Sequence, residues 1–189
     1  MTKTELRQVL LERRRQVALL DRQKAAANAA HLLAHTDLFQ QSQHIACYSP
    51  LSNEFDSQPI IQQIWQAKKN CYLPVLSVAD TRHLDFFLYE EETLLRLNRY
   101  RIPEPMSTES IPLEQLDLML LPLVGFDPKG NRLGMGSGYY DRTLQTLKNK
   151  EKPILLGLAY EMQEVSSIPH DEWDVVLDGI VTEKRVIIV

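Results

Sequence analysis

The feature that most limits the possible folds is a nine-residue apolar run, LDLMLLPLV, at residues 116–124. A strand of this composition needs cover on both faces, as strands have in the parallel sheets of α/β proteins. Shorter strand-like runs are predicted at residues 44–48, 71–76, 83–89, 153–159 and 175–181, with a last strand in RVIIV. The central run therefore predicts a sheet buried between two layers.

Helical patterns alternate with these strands. They are predicted at residues 3–20, at 21–34 with Asp21 as cap, at 57–69 with Ser57 as cap, and at 139–149. Residues 98–115, which contain three prolines, are predicted to form a long surface connection. The alternation indicates one layered α/β/α domain over residues 1–189 with a mostly parallel sheet.

Composition excludes several classes of function. The net charge of −4 and pI near 5.7 argue against a general nucleic-acid binder. The N-terminus lacks an apolar signal-like stretch, and the longest apolar run, 118–126, is too short to span a bilayer. Cys47 and Cys71, with no CxxC, are predicted to be buried structural thiols. We expect a cytoplasmic protein without nucleic-acid or membrane partners; no obligate protein partner is indicated.

The strongest chemical signal is the segment RLGMGSGYYD at residues 132–141. Its alternating glycines let the backbone turn tightly and expose N–H groups to a ligand. Arg132 offers a positive fork for phosphate oxygens, and Asp141 lies within reach of a phosphate-bound Mg²⁺. The alternative is a strand-to-helix turn whose glycines serve only its geometry. The flanking Arg132 and Asp141 favour phosphate binding.

The loop matches neither of two familiar nucleotide motifs. It lacks the Gly-Lys-Ser/Thr of a Walker A sequence and is not GxGxxG. Glu161, however, follows the next predicted strand, where a dinucleotide fold places its ribose-binding acid. A nicotinamide-dependent oxidoreductase is therefore the second hypothesis, and a non-catalytic anion-binding module is the third.

Other polar residues have both an ordinary and a functional interpretation. Lys3 and Arg7 lie on one helix face. Spacing alone predicts that this face is solvated, and it predicts the same for much of Arg13–Arg15. Glu54 and Asp56 follow a predicted strand, where α/β folds place ligands. Asp174 precedes a strand and is either a cap or a metal-facing carboxylate. Trp65 and Trp173 are predicted to lie in the core or at its edge.

The segment LLPLVGFDPKGNRLGMGSGYYDR resembles the signature of the 5-formyltetrahydrofolate cyclo-ligase family. The resemblance extends to the early Lys-x-x-x-Arg, YSPLSNEFDS, GLAYEMQ and IPHDEWDVVLDGIVTE. It implies a single α/β domain with a Rossmann-like sheet. It also implies ATP-dependent conversion of 5-formyltetrahydrofolate, with or without a polyglutamate tail, to 5,10-methenyltetrahydrofolate, ADP and phosphate.

The resemblance also implies roles for particular residues. Lys3, Arg7 and Arg132 would supply catalytic positive charge, and Asp141 and Asp174 would bind Mg²⁺. Ser49 and Glu54 would contact the folate. The ATP-binding residues would be Lys3, Arg7, Arg132, Leu133, Gly134, Met135, Gly136, Ser137, Gly138, Tyr139 and Tyr140. Of these, Met135, Gly136, Ser137, Gly138 and Tyr139 would also touch the folate. Arg14 would be structural.

Overall fold

The computed structural model describes residues 1–51, 53–80, 82–147 and 152–189. Within these ranges the helices are α1 (Lys3–Arg15), α2 (Leu19–Ala34), α3 (Asp37–Gln41), α4 (Gln58–Gln66) and α5 (Tyr139–Gln145). The strands are β1 (His44–Ala46), β2 (Asn70–Leu76), β3 (Leu84–Leu88), β4 (Leu95–Leu97), β5 (Pro103–Pro105), β6 (Ser110–Ile111), β7 (Leu118–Pro122), β8 (Gly125–Phe126), β9 (Arg132–Leu133), β10 (Ile154–Leu158), β11 (Gly179–Val181) and β12 (Val186–Ile188). Single 3₁₀ turns occur at Leu113–Gln115 and Glu161–Gln163.

Eight strands form the central sheet in the order β12-β11-β10-β7-β1-β2-β3-β6. The neighbours from β11 to β2 are parallel, whereas β12, β3 and β6 pair antiparallel at the edges. The predicted mostly parallel sheet is confirmed. Two small ribbons, β4–β5 and β8–β9, lie outside it.

The apolar run that suggested this fold forms β7, in the middle of the sheet. Residues 118–121 are fully buried. Leu118 and Leu120 pack in one cluster with α2 and α4, whereas Met119 and Leu121 pack in another with Leu144 of α5. Alternate side chains of a strand point to opposite faces, so helices cover both sides of the sheet.

Helix α1 lies over the end of the sheet where β7 finishes. Leu6 and Leu10 pack with Val124, Leu133 and Ile168 in a separate apolar cluster. The helix begins with a capping box, in which Thr2 Oγ1 accepts from the Glu5 amide at 3.2 Å and the Glu5 carboxylate accepts from the Thr2 amide at 2.8 Å. The cap and the apolar stripe together hold α1 in one orientation, so Lys3 and Arg7 lie on a defined face of the helix.

Several predicted boundaries were wrong. The helix predicted over 3–20 ends at Arg15, and Ala18, in extended conformation, is the N-cap of α2, so Asp21 lies in the first turn. Ser57 occupies the N-cap position of α4, but its hydroxyl donates to the Tyr48 carbonyl oxygen at 2.6 Å instead of capping. That helix ends at Gln66. The Ser57 backbone is helical, with φ −88° and ψ −8°, instead of having the extended conformation that is usual for a capping residue.

The segment at 98–115 is also more ordered than predicted. It contains β5, β6 and a 3₁₀ turn, and β5 pairs with β4 in a ribbon. The last parallel strand is shorter than predicted, because β11 begins at Gly179. Helix α5 ends at Gln145, and residues 148–149 of the predicted helix lie outside the described residues.

Both cysteines are buried free thiols, as predicted. Burial raises the pKa of Cys47 to about 12. In the part of the chain that the structure describes, no helix has the length and apolarity needed to cross a membrane.

Candidate functional site

The main pocket lies where the direction of chain progression through the sheet reverses. From β1 the chain moves to β2 on one side, and from β7 it moves to β10 on the other. Parallel α/β sheets bind ligands at such a switch point, beyond the carboxyl ends of the strands. A pocket of about 680 Å³ opens there, lined by Tyr48 and Ser49 after β1 and by Pro122 and Leu123 at the end of β7.

The glycine-rich loop forms one wall of this pocket. Gly136 and Gly138 have φ values of 102° and 66°, a left-handed region that other residues rarely adopt. Arg7 reaches the loop from α1, and its Nε donates to the Gly134 carbonyl oxygen at 2.8 Å. Arg142 donates to the Ser137 carbonyl oxygen. Side chains from two helices therefore hold the loop open toward the pocket.

Arg132 and Asp141 form a pair at the base of the loop. Arg132 Nη2 lies 2.6 Å from Asp141 Oδ1, and Nη1 donates to the Val175 carbonyl oxygen at 2.9 Å. The Arg132 side chain is only 6% exposed. Burial lowers its pKa, and the charges of Asp141 and Asp174 offset part of that effect. The pair places a cation and a carboxylate beside the same pocket.

Lys3 forms a second charged cluster, which is linked to Arg132 through the charge of Asp174. Its Nζ lies 2.7 Å from Asp171 Oδ2 and 2.5 Å from Asp174 Oδ2. Burial lowers the pKa of Lys3, but the hydrogen bonds to both carboxylates outweigh it, so the pKa lies above its usual value. The pKa of Asp174 lies below its usual value, because hydrogen bonds from Lys3 and the Asp171 amide outweigh its burial.

Ser49 and Glu54 also line the pocket. Ser49 Oγ donates to the Pro103 carbonyl oxygen at 2.9 Å, and Glu54 Oε2 accepts from the Leu51 amide at 3.0 Å. Burial raises the pKa of Glu54. Apolar residues also line the pocket: Pro74, Leu76, Leu84, Ile102 and Tyr140. A carboxylate among apolar walls suits a flat ligand that carries N–H donors.

The acidic residues can hold a metal only with help from a ligand. No cluster of three or more metal-ligating side chains occurs among the described residues. Mg²⁺ is commonly bound by one or two carboxylates together with substrate phosphates. Asp141 and Asp174 both act on the Arg132 charge, and the amide of Val175, next to Asp174, donates to Asp141 Oδ1 at 3.1 Å. The two carboxylates therefore fit a magnesium ion that a phosphate ligand completes.

All the residues predicted for the site line this one pocket. They are Lys3, Arg7, Ser49, Glu54, Asp174 and the ten residues 132–141. Their individual roles stay predictions. Sequence reasoning missed Asp171, whose only signal was its place beside Asp174 in IPHDEWD, and Tyr100, which is on the ribbon that was predicted to be a connection.

Two predictions about other residues were wrong. Trp173 was expected in the core or at its edge, yet it is 62% exposed and lies on the pocket rim. Arg14 was counted with a solvated face, yet it is 3% exposed. The spacing of an arginine triplet does not show which member points inward.

Glu161 does not serve the glycine loop. It lies outside the main pocket, where its carboxylate accepts from Thr182 Oγ1 at 2.8 Å and pairs with Arg185 at 2.9 Å. The oxidoreductase hypothesis therefore loses the acid on which it rested.

Fold and site together define an α/β protein with a pocket lined by cationic side chains and a glycine-rich loop at the switch point of its sheet. A model of the 5-formyltetrahydrofolate cyclo-ligase family matches residues 1–183. The chain belongs to this family of enzymes.

Individual relatives are similar over most of the chain. The 5-formyltetrahydrofolate cyclo-ligase of Haemophilus influenzae is 43% identical over 143 residues, which cover 75% of this chain and 76% of the relative. The Escherichia coli K12 protein of that name is 36% identical over 181 residues, 94% of this chain and 98% of the relative. The NMR structure of Aquifex aeolicus 5,10-methenyltetrahydrofolate synthetase superposes with a TM-score of 0.86 at 31% identity, covering 100% of this chain and 93% of that one.

Proposed function

We propose that this chain converts 5-formyltetrahydrofolate to 5,10-methenyltetrahydrofolate with consumption of ATP, in the presence of Mg²⁺, and that residues 1–189 act as one domain. The observation that carries the proposal is that the cations, the glycine loop and Glu54 all line one pocket, together with apolar side chains. The names of the relatives support the choice of substrate. We propose the cytoplasm as its location, which its buried free thiols suit.

The phosphates of ATP would occupy the end of the pocket near α1. Lys3, Arg7 and Arg132 would supply positive charge, and the backbone of residues 132–140 would supply N–H donors. Helix α5 is only seven residues long, so the side chains contribute more to the positive field than the helix dipole does. Lys3 and Arg132 already pair with acidic residues. Phosphate binding would therefore exchange partners without burying unpaired charge.

Asp141 and Asp174 would hold the Mg²⁺. When bound, the ion supplies neutralisation of the charge on the phosphate oxygens. In its absence the two carboxylates keep Arg132 and Lys3 in place, so the same acidic residues orient the cations of the site.

The folate would lie toward Ser49 and Glu54, with residues 135–139 between the two substrates. An ionised Glu54 accepts hydrogen bonds from N–H groups of the pterin, and the apolar walls contact the faces of the ring. The nucleotide-binding residues and the folate-binding residues line the same pocket, so the two substrates would be held side by side. Such positioning removes much of the entropic cost of a two-substrate reaction.

The formyl oxygen is a poor leaving group, so it has to be activated. It attacks the γ-phosphorus of ATP, the bond to the bridging oxygen breaks, and ADP leaves. N10 of the folate then attacks the activated formyl carbon and loses its proton. Departure of phosphate, which carries away the former formyl oxygen, leaves the methenyl bridge. The chain contributes positive charge and alignment, and no protein nucleophile is needed.

The direct test is to incubate the pure protein with 5-formyltetrahydrofolate, ATP and Mg²⁺ and follow the absorbance of the methenyl product. We expect turnover that stops on chelation with EDTA and returns with excess Mg²⁺. One ADP should form for each methenyl product. Product formation without ATP, or ADP release without folate conversion, would contradict the proposal.

A further inference from the structure

Arg14 is a buried cation behind the pocket. It lies on the last turn of α1 and is 3% exposed. Its Nη1 donates to the Leu123 carbonyl oxygen at 3.2 Å, while its Nε is buried without a hydrogen-bond partner among the described residues. A buried guanidinium is costly unless an opposite charge compensates it. Some other group must therefore offset this charge.

Glu54 is the acidic group that acts on Arg14. The two interact through their charges, and Glu54 is the largest favourable influence on the Arg14 charge. The other groups around them are Tyr48, Tyr140 and Tyr160, with Arg22 beside Arg14. Burial raises the pKa of each of these tyrosines, so they remain neutral. Arg14 and Glu54 are thus opposite charges that compensate each other in a partly buried region beside the pocket.

Both residues connect to the same pocket. The carbonyl group that Arg14 contacts belongs to Leu123, which lines the pocket together with Glu54. Arg14 does not line the pocket, so any effect on a ligand passes through its neighbours. We propose that Arg14 is a positioning residue for substrate recognition and acts through the Glu54 carboxylate. This inference rests on the proposed function, in which Glu54 binds the folate.

The physical reason is a competition between burial and charge. Burial favours the protonated form of Glu54 and raises its pKa, whereas Arg14 opposes that shift. Only the ionised carboxylate accepts hydrogen bonds at both oxygens, because the protonated form uses one oxygen as a donor. Removal of the Arg14 charge would raise the pKa of Glu54 further. Folate binding would then be lost as the pH falls, beginning at a higher pH than in the parent.

Arg14→Gln removes the charge but keeps a donor for the Leu123 carbonyl oxygen, and Arg14→Lys keeps the charge. We expect Arg14→Gln to weaken binding of 5-formyltetrahydrofolate about tenfold at neutral pH, the effect of about 1.4 kcal/mol of lost charge interaction. ATP affinity should stay within about twofold. The acidic limb of the folate-binding profile should move to higher pH, and Arg14→Lys should return it toward the parent position. The measurement is calorimetric affinity for each ligand as a function of pH.

Two controls separate this role from a purely structural one. Arg13→Gln makes the same change at the neighbouring, exposed position and should alter neither affinity. Glu54→Gln should weaken folate binding with ATP affinity unchanged, and adding Arg14→Gln to it should weaken folate binding no further. Equal loss of both affinities in Arg14→Gln, with an unmoved acidic limb, would show that Arg14 only supports the fold.

If Arg14→Gln yields no folded protein, Arg14→Lys decides alone. Folate affinity within about threefold of the parent, with an unmoved limb, agrees with a role of the charge. A larger loss of folate affinity with an unmoved limb overturns it. A parent that does not bind the folate overturns the proposed function, and this inference with it. A parent that binds, beside an Arg14→Gln variant of equal affinity and equal pH profile, overturns only the inference.

Discussion

Lys3 and Arg7 provide the sharpest test of how the N-terminal helix serves the site. Each lies on the pocket face of α1, with Lys3 bound to Asp171 and Asp174 and Arg7 bound to the Gly134 carbonyl oxygen. We consider the double variant Lys3→Gln/Arg7→Gln, which removes both positive charges and leaves the apolar stripe of α1 intact.

The expected magnitudes differ for binding and for stability. Hydrogen bonds to charged groups contribute about 1.5–3 kcal/mol each, so two lost phosphate contacts should cost about 3 kcal/mol or more, about a hundredfold in ATP affinity. The unfolding free energy should fall much less. The Lys3 side chain is 27% exposed, so its ion pairs are worth about 1 kcal/mol at most. The total loss of stability should be about 2 kcal/mol.

The assay is calorimetric ATP affinity together with denaturant unfolding. The matched control is Arg13→Gln/Arg15→Gln, which also removes two positive charges, but from exposed positions of the same helix. Arg14 is unsuitable as a control because it is buried. We expect the control to stay within about twofold in affinity and about 0.5 kcal/mol in stability. Equal ATP affinity for the parent and both double variants would refute the reasoning and show that Lys3 and Arg7 do not contact the nucleotide.

Two further changes test the loop and its acid. Asp141→Asn should lower turnover at least about a hundredfold, since electrostatic stabilisation at such a site is worth about 3 kcal/mol. It is preferable to Asp141→Ala, which would leave Nη2 of the nearly buried Arg132 without its acceptor and destabilise the fold as well. A variant that kept parental turnover in steady-state assays with Mg²⁺ would remove Asp141 from the metal site. Gly138→Ala should destabilise the fold by about 1–2 kcal/mol in chemical denaturation, because φ is 66° there and a Cβ would lie 2.9 Å from Arg142 Nη1. Gly134→Ala, where a Cβ would meet nothing within 4 Å, should leave stability unchanged, and an equal loss in the two variants would contradict this explanation.

Local patterns in the sequence predicted much of this protein. The apolar run of β7 indicated a strand covered on both faces, and the four residues 118–121 are fully buried. The glycine loop between β9 and α5 was predicted because alternating glycines allow tight backbone turns that other residues rarely adopt. The resemblance of the loop and of several other segments to one family identified the enzyme class. Such features depend on residues near one another in the chain, so sequence alone carries them.

Short strands and capping residues were less predictable. The ribbon β4–β5 has two prolines in one strand and exposed side chains in the other, so no apolar alternation marks it. Serine is a common capping residue, but the Ser57 hydroxyl donates a hydrogen bond to the carbonyl oxygen of Tyr48, nine residues away. Competition between local partners is decided by the final packing, which a linear pattern does not contain.

The long-range placement of charge was decided by tertiary structure alone. Arg7 meets a carbonyl group 127 residues away, and Lys3 meets carboxylates 168 and 171 residues away. Arg14 points inward although Arg13 and Arg15 on either side are exposed. A helix face is either a solvated surface or the wall of a site according to what packs against it, and the same spacing serves both. Only the folded sheet, which brings the end of β7 beneath α1, distinguishes them.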